Sequence, residues 1–313
     1  MKVVEVCSKD FLDVVNDPYH IYASSGFNDL NSVKCEEVYY LLFKERKYRL
    51  AIAGGKVMNE FRSPFSAPFG GFVFFSDSVG QEHIDRAIEA LVAWAQSKGM
   101  LKIRITLPPA IYHDSFISKL VNSFYRSRFS AEKIDLNHAF LLNAFDVSYQ
   151  EKICHNARRN LKKSFSNDLT FEKAHKMEEK SIVYDVIKKN REDKGYSLRM
   201  SFENIIDTTD VVKADFFLVR NNTGKPVASS LVFHVASDIV QVIYWGGLLE
   251  YNDLKTMNFM SYRIFDYYSK LKKKIVDIGP STSDSVPNNG LCVFKESIGC
   301  NVSLKFSFFR DLL

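Results

Sequence analysis

The order of strand and helix patterns constrains this chain more than any other feature, because one order occurs twice. In the first half, strand patterns and amphipathic helices follow each other over 37–43, 48–53, 81–98, 101–107, 112–126 and 131–142. In the second half, the same order of elements runs over 226–236, 239–245, 255–273, 275–278, 288–298 and 301–309. We therefore predict an α/β protein with a mixed sheet, built from two related α/β units over 1–145 and 146–313. Chance alternation in an ordinary mixed protein is the alternative.

The composition agrees with a folded chain of this kind. The 313 residues are enough for two domains, and 46% hydrophobic with 25% charged residues is ordinary globular usage. These values exclude a disordered tail, a coiled coil, a collagen and a small disulfide scaffold. A net charge of +5 permits an anionic partner, but it is too small to predict wholesale nucleic-acid binding.

Cysteine and histidine positions predict neither disulfides nor a metal site. The five cysteines include no CxxC pair, so reduced thiols in a cytoplasmic protein are the expectation. The seven histidines show no ligand spacing such as HxxxH, and we assign no metal ligand. No apolar run approaches the roughly 18 residues of a membrane span. Charges at Glu5, Lys9 and Asp10 interrupt any signal-peptide core.

Five short strings in the second half carry a family resemblance. They are Asn-Ala-Arg-Arg-Asn-Leu-Lys-Lys at 156–163, Asp-Lys-Gly-Tyr-Ser-Leu-Arg at 193–199, Tyr-Trp-Gly-Gly at 244–247, Asp-Ile-Gly at 277–279, and Gly-Leu-Cys-Val-Phe-Lys-Glu-Ser-Ile-Gly at 290–299. The last is similar to a Gly-Leu-x-x-Phe-Lys-x-x-Phe-Gly pattern. In order and spacing, the strings resemble the Fem-type aminoacyl-transferases of peptidoglycan synthesis, a branch of the GNAT acyltransferases.

The resemblance implies a tandem GNAT-like acyl-CoA N-acyltransferase fold and an acyl-transfer reaction. An amine acceptor would attack an activated acyl or aminoacyl carbonyl directly, without a covalent enzyme intermediate. No tightly bound cofactor is implied, and the donor substrate would be acyl-CoA or aminoacyl-tRNA. Two departures bear on the donor. Glu250 and Asp253 stand where a GNAT pyrophosphate loop would be basic, and 175–195 leaves room for one short helix instead of the coiled-coil arm of many Fem-type proteins.

The same resemblance assigns candidate catalytic and binding residues. Tyr244 would donate a hydrogen bond to a reacting carbonyl or phosphate, and Lys295 would reach substrate phosphates. Arg199 matches an arginine that faces the acceptor cleft and would bind a phosphate or carboxylate. The glycines Gly246 and Gly247 would expose backbone to the donor. An aromatic core position for Tyr244 and a surface position for Arg199 are the structural alternatives.

Other candidates come from the residues themselves. Arg158, Arg159, Lys162 and Lys163 form two basic rows at i,i+4 spacing, which would bind a phosphate-bearing small molecule or carrier, including tRNA; a solvated helix face is the alternative. Asp277 would accept a proton from an amine or, as we favour, cap the following loop. The loop 63–71 would line a cleft or serve as a turn.

Two further readings remain open at the sequence level. The first is a catalytically silent GNAT-like protein that binds a ligand or acts as a scaffold, which the missing phosphate loop favours. The second keeps the enzyme but makes a small metabolite or a cell-surface polysaccharide precursor the acceptor.

Overall fold

A computed structural model describes residues 1–76 and 79–312. Its strands are β1 (Lys2–Val6), β2 (Glu37–Lys44), β3 (Tyr48–Val57), β4 (Glu60–Ser63), β5 (Phe72–Phe74), β6 (Lys102–Thr106), β7 (Ser130–Leu141), β8 (Thr170–Ala174), β9 (Ala214–Arg220), β10 (Pro226–His234), β11 (Ile239–Gly247), β12 (Ile275–Pro280), β13 (Thr282–Ser283), β14 (Val286–Pro287) and β15 (Asn301–Asp311). Its α-helices are α1 (Ser8–Val14), α2 (Ser25–Leu30), α3 (Gln81–Ser97), α4 (Asp114–Arg126), α5 (Tyr149–Lys152), α6 (His155–Phe165), α7 (Met177–Asp193), α8 (Phe202–Thr208), α9 (Thr256–Lys270) and α10 (Asn289–Ser297).

The chain packs into two compact units. Unit 1 comprises Met1–Leu136, Thr282–Val286 and Ser303–Leu313, and unit 2 comprises Asn137–Ser281 and Pro287–Val302. These units differ from the ranges 1–145 and 146–313, because 137–145 belongs to unit 2 while Thr282–Val286 and Ser303–Leu313 belong to unit 1. The largest difference is at the C-terminal end. The physical reason is that β15 pairs antiparallel with β6, from Ser307 opposite Thr106 to Asp311 opposite Lys102.

Unit 1 is built on strands in the order β1-β2-β3-β4-β6-β15, with β5 paired to β3. Its longest helix, α3, follows directly from the sequence pattern. Apolar residues at helical spacing, from Ile84 to Ala95, are all buried in the unit 1 core. The helix ends before Gly99, whose φ of +68° is the left-handed conformation that glycine adopts most easily after a helix.

Unit 2 is built on strands in the order β7-β12-β11-β10-β9-β8, and among its pairs β11 and β12 run parallel. Its apolar core includes the Phe140 and Phe265 rings, which stack with centroids 4.0 Å apart. Two consecutive glycines show how its helices are arranged. A Cβ on Gly246 would meet Asn190 of α7, and a Cβ on Gly247 would meet Thr256 of α9. Because consecutive strand residues point to opposite faces, α7 and α9 cover opposite faces of the sheet.

The predicted α/β class with a mixed sheet is confirmed, and most predicted elements differ from the structure only at their ends. The predicted helix over 147–165 is wrong in one respect, because extended backbone at Ile153 and Cys154 divides it into α5 and α6. The sequence patterns do not predict the elements β1, α1, α2, β4, β13 and β14. Among residues 1–76 and 79–312, the model contains no helix with the length and apolar character needed to cross a bilayer.

Candidate functional site

Strands β11 and β12 diverge at their C-terminal ends. They pair in parallel from Ile239 opposite Ile275 to Gln241 opposite Asp277, whereas β11 continues to pair with β10 as far as Gly247. The β10 register also shifts here, since Leu231 faces Tyr244 while Val232 faces Val242. The extra residue is Ile243, a β-bulge that re-aims the end of the strand. The diverging segment of β11 therefore presents Tyr244 beside a gap at the carboxyl end of two parallel strands, where open α/β sheets commonly bind ligands.

Two arginines lie around Tyr244. The guanidinium of Arg191, at the end of α7, lies 5.3 Å from the centre of the Tyr244 ring and 5.8 Å from that of Tyr196. Its Nε donates to the carbonyl of Ser197 at 3.0 Å, which fixes its position. Arg199 is exposed and near enough for its charge to act on Tyr244. We call Arg191, Tyr196, Arg199 and Tyr244 the arginine–tyrosine cluster.

The Tyr244 hydroxyl stays protonated at neutral pH. Burial raises the pKa of Tyr244, while the charges of Arg191 and Arg199 and hydrogen bonds from the backbone of residues 199 and 200 act in the opposite direction. A protonated phenol between two guanidinium groups is a hydrogen-bond donor in a positive field. Such an arrangement is suited to binding an anion or to stabilising negative charge on an oxygen.

Lys295 is buried and fully engaged by the end of β12. Its Nζ donates to the carbonyls of Ile278, Gly279 and Pro280 at 2.9, 2.8 and 3.1 Å. An ammonium has three N–H donors, so these carbonyls use all of them. Burial lowers the pKa of Lys295 to about 8, and the nearby carboxylate of Asp277 opposes that change. The predicted contact with substrate phosphates stays a prediction, and the contacts seen are those of a positioning residue.

Asp277 fixes the backbone that Lys295 holds. Its Oδ1 accepts from the backbone N–H of Gly279 at 2.9 Å and from Asn137, and its Oδ2 accepts from Gln241 at 2.8 Å. The side chain is fully buried. These bonds correspond to the loop-capping role that the sequence analysis favoured over proton transfer. Gly279, with φ at +72°, occupies a conformation that other residues rarely adopt.

The two glycines of β11 are required for close packing. A Cβ on Gly246 would lie 2.3 Å from Asn190 Oδ1, and one on Gly247 would lie 2.5 Å from Thr256 Oγ1. Asn190 also donates to the Gly247 carbonyl at 2.6 Å. Their predicted contact with a donor substrate stays a prediction. In the structure, the absence of side chains at Gly246 and Gly247 lets α7 and α9 pack closely against the two faces of β11.

The basic face of α6 lies away from the arginine–tyrosine cluster. Arg159, Lys162 and Lys163 are exposed, while Arg158 donates to the Glu151 carbonyl at 2.8 Å. Helix α6 packs on α9 through Phe165, whose ring contacts Phe259 at 5.9 Å between centroids. The cluster takes Arg191 from α7, which covers the opposite face of the sheet. The structure therefore does not bring Arg158, Arg159 and Lys162 together with Arg199 and Tyr244.

Hydrogen bonds of Ser63 fix the loop 63–71. Ser63 Oγ donates to the Ala53 carbonyl at 2.7 Å and accepts from the backbone N–H of Gly71 at 3.0 Å. A Cβ on Gly70 would lie 2.8 Å from the nitrogen of Pro64, so the turn needs glycine there. These contacts fit the turn that the sequence analysis left as one of two alternatives. Within residues 1–76 and 79–312, no group of three or more His, Cys, Asp or Glu side chains is placed to hold a metal ion.

Sequence reasoning missed Arg191, Tyr196 and Asn288. Asn288 caps α10 through its side chain, which accepts from the N–H of Leu291, and its Nδ2 lies 3.4 Å from the Tyr196 hydroxyl. A usable signal was present for Arg191, because it lies at the end of a long amphipathic helix, five residues before an exposed tyrosine. Nothing in the sequence showed that Tyr244 lies under it.

No protein-family model and no curated protein sequence matches this chain. Solved structures do match it along nearly its whole length. FemX shares 12% identity and a TM-score of 0.72, with 99% of this chain and 97% of that chain covered. L-PGS from Bacillus licheniformis shares 14% identity and a TM-score of 0.63, with 97% and 90% covered. A tandem GNAT protein from the clavulanic acid biosynthesis pathway shares 8% identity and a TM-score of 0.54, with 100% and 98% covered.

At these identities the similarity establishes the fold. The chain has the Fem-type tandem GNAT fold, and the prediction of that fold from the sequence strings is confirmed.

Proposed function

We propose that this chain is an acyltransferase, in which an amine acceptor attacks an activated acyl or aminoacyl carbonyl in the gap between β11 and β12. The observation that carries the proposal is the arginine–tyrosine cluster at the point where β11 leaves β12. Fold similarity to FemX and to a tandem GNAT protein supports acyl transfer as the reaction class. Because fold alone does not determine chemistry, the proposal depends on the residues of the cluster.

Each residue of the site has a proposed role. Arg191 and Arg199 bind the anionic part of a phosphate- or carboxylate-bearing substrate, because guanidinium groups match those anions in shape and charge. Tyr244 donates its hydroxyl to the oxygen on which negative charge develops. Lys295 acts by holding the carbonyls of β12 in place, so that the gap keeps its shape. Catalysis then depends mainly on positioning and on stabilisation of the oxyanion.

The segment after β11 bears on the donor. Leu249–Leu254 forms a 3₁₀ turn in which Glu250 and Asp253 are exposed, and Glu250 lies 3.5 Å from Lys225. Carboxylates at this position repel a pyrophosphate. We therefore propose that the donor is held by its acyl end and by the arginine–tyrosine cluster, and that ordinary acetyl-CoA is a poorer donor than a carrier such as aminoacyl-tRNA.

Ligand binding is tested by thermal unfolding with acetyl-CoA, a longer acyl-CoA and an aminoacyl-tRNA. A ligand at 100 times its Kd stabilises the native state by about 2.7 kcal/mol. We expect the stabilising ligand to lose its effect in Arg191→Ala and Arg199→Ala and to keep it in Arg220→Ala, a matched arginine paired with Glu172 on β8 and β9. An equal shift in all variants would contradict the site.

A catalytically silent binding protein is the second candidate, and the acidic turn at Glu250 and Asp253 favours it. Mass spectrometry of an amine pool incubated with the stabilising donor separates the two. Acylated product from the wild type, reduced in Tyr244→Phe, supports the enzyme. Saturable binding with no product from any donor supports the silent protein.

A further inference from the structure

In unit 2 a serine, a histidine and a glutamate follow one another in space, as a nucleophile, a base and an acid do in many enzymes. Ser281 Oγ lies 2.9 Å from His138 Nδ1, and His138 Nε2 lies 3.5 Å from Glu296 Oε1. Ser281 follows β12, His138 lies on β7, and Glu296 lies on α10. The 3.5 Å separation is long, as is common for catalytic hydrogen bonds before a substrate is bound. Nothing in the proposed function so far uses these three residues.

Burial changes sharply along this group. Ser281 is 1% exposed and His138 is completely buried, whereas the Glu296 side chain is 55% exposed. The group therefore connects the interior of unit 2 to solvent. A buried imidazole between a hydroxyl and a carboxylate is the arrangement by which proteins orient a histidine for proton transfer.

One tautomer of His138 gives both contacts a donor. A carboxylate can only accept, so in that tautomer Nε2 carries the hydrogen that faces Glu296. Nδ1 is then an acceptor, and the Ser281 hydroxyl donates to it. This hydrogen bond increases the negative charge on Ser281 Oγ. The oxygen can then accept a proton from a neighbouring group.

Helix α10 connects this group to the arginine–tyrosine cluster. Asn288 donates its backbone N–H to the Ser281 carbonyl at 2.9 Å, and its side chain contacts Tyr196. Lys295, one residue from Glu296, holds the carbonyls of residues 278–280 immediately before Ser281. Ser281 therefore follows the end of β12, the strand that borders the gap in which acyl transfer is proposed.

We infer that Ser281, His138 and Glu296 form a proton relay that accepts the proton of the attacking amine. The inference rests on the proposed function. As the amine nitrogen bonds to the donor carbonyl carbon, its N–H proton passes to Ser281 Oγ and the hydroxyl proton of Ser281 passes to His138 Nδ1. The bond to the leaving oxygen or sulfur then breaks with its electron pair, and the proton returns from Nδ1 through Ser281 to that atom. Glu296 stabilises the transient imidazolium, and no net proton is gained or lost by the relay.

Other charged and titratable groups lie on the elements around His138. They include Lys295 and Cys292 on α10, Asp277 on β12, Cys300 next to β15, and the Asp135 and Lys305 pair on β7 and β15. The Lys295 ammonium is bound to three carbonyls, and Asp277 is bound to Asn137, Gln241 and the backbone of Gly279. The Glu296 carboxylate lies 3.5 Å from His138 Nε2. The relay requires neutral His138, so protonation of the imidazole stops the transfer.

Nitrogen-15 NMR of histidine-labelled protein tests the relay without needing a substrate. The signal of His138 is identified by its loss in His138→Gln. We expect the Nε2–H tautomer, with an Nδ1 resonance that moves in Ser281→Ala. Glu296→Gln, at an exposed position, should fold normally and weaken the preference for that tautomer, while Glu178→Gln should leave it unchanged. An Nδ1–H tautomer in the wild type overturns the relay.

Kinetics supply the second readout. With the donor found for the proposed function, His138→Gln should lower kcat by about 10²–10⁴-fold, the usual contribution of a general base, with KM unchanged. Glu296→Gln should move the acidic limb of the pH profile to lower pH. Unchanged kcat and pH profile in both variants overturn the relay. A wild-type protein without turnover would count against the proposed function, and the tautomer would still decide whether this hydrogen-bonded array exists.

Discussion

Arg191 lies over the ring of Tyr244, with 5.3 Å between its guanidinium carbon and the ring centre, although the two residues are 53 positions apart in sequence. Helix α7 supplies the arginine and the bulged end of β11 supplies the tyrosine. The contact thus joins a helix terminus to the one segment of β11 that has left β12. The proposed substrate-binding residues lie at this contact.

A double-mutant cycle measures this contact. A cation over an aromatic ring contributes about 0.5–1 kcal/mol at partly exposed sites. We expect Arg191→Ala and Tyr244→Leu to couple by about that amount in the free energy of unfolding from urea titrations. Arg199→Ala with Tyr244→Leu serves as the control, since Arg199 acts on Tyr244 through charge. Strictly additive effects of Arg191→Ala and Tyr244→Leu would show that the ring and the guanidinium do not interact.

Replacing Lys295 should destabilise the fold strongly. Lys295→Met keeps the length of the side chain but leaves three carbonyls at the end of β12 without their donor. Because each buried unsatisfied group costs about 1–3 kcal/mol and the variant no longer buries a charge, we expect a net loss of about 2–4 kcal/mol. Lys272→Met, at an exposed lysine, should change the midpoint of chemical unfolding little. A loss below 1 kcal/mol for Lys295→Met, on the order of one ordinary hydrogen bond, would argue against the clamp.

The lowered pKa of Lys295 makes its contribution to the free energy of unfolding depend on pH. In the unfolded chain the lysine keeps its proton up to about its ordinary pKa of 10.5, whereas in the folded chain it releases the proton from about pH 8. Between these values the unfolded state binds more protons, so the contribution of Lys295 to stability increases as pH rises. The difference in unfolding free energy between wild type and Lys295→Met should therefore grow from pH 8 to pH 10. A difference that is constant over this range would contradict the lowered pKa.

Asp215 should control the acid sensitivity of unit 2. Its carboxylate accepts from His234 and Tyr268 at 2.7 Å each and pairs with Lys173. Burial alone would raise its pKa, but these hydrogen bonds and charges outweigh burial and hold the pKa of Asp215 below its ordinary 3.8. The stability it contributes is complete above about pH 4 and is lost as pH falls further. We expect acid titrations followed by circular dichroism to show a weaker pH dependence below pH 4 in Asp215→Asn, while Asp210→Asn, at an exposed aspartate, keeps the wild-type curve.

Two glycines provide a matched test of packing. Gly246→Ala places a methyl group 2.3 Å from Asn190 Oδ1, so we expect a loss of about 1–3 kcal/mol from overpacking. Gly290→Ala places its methyl at ordinary contact distance, 3.6 Å from Asn288, inside α10. The same change should there raise the melting temperature, because alanine favours a helix by about 0.5–1 kcal/mol. Equal effects at the two positions would contradict the close approach of α7 to β11.

Local patterns predicted the elements well wherever burial follows a simple period. Helix α3 shows this, since its apolar residues at helical spacing are the residues that are buried. Lys295 shows the opposite case. Its place in a string that resembles a family pattern implied a lysine that reaches substrate phosphates, but the string could not show that three carbonyls of β12 surround its ammonium.

The candidate site was predicted only in part, because contacts between residues far apart in sequence depend on the fold. Arg199 lies near enough to Tyr244 for its charge to act on the hydroxyl, and their shared role in substrate binding stays a prediction. Arg191 could not be found, because its partner is set by the fold and not by sequence spacing. The basic face of α6 was proposed as a phosphate-binding face from charge alone. A charge pattern gives no sign of which face of the sheet a helix covers, and α6 packs on the helix opposite α7.

The placement of Ser303–Leu313 in unit 1 has a consequence for how the protein is made. A ribosome delivers the chain from its N-terminus, so β6 leaves the exit tunnel some 200 residues before its partner β15. The β15 position in the sheet of unit 1 therefore stays empty until all of unit 2 has been synthesised. The first unit in the sequence is thus the last to be completed, and a fragment that stops at residue 145 would expose the edge of β6 that the end of the chain normally covers.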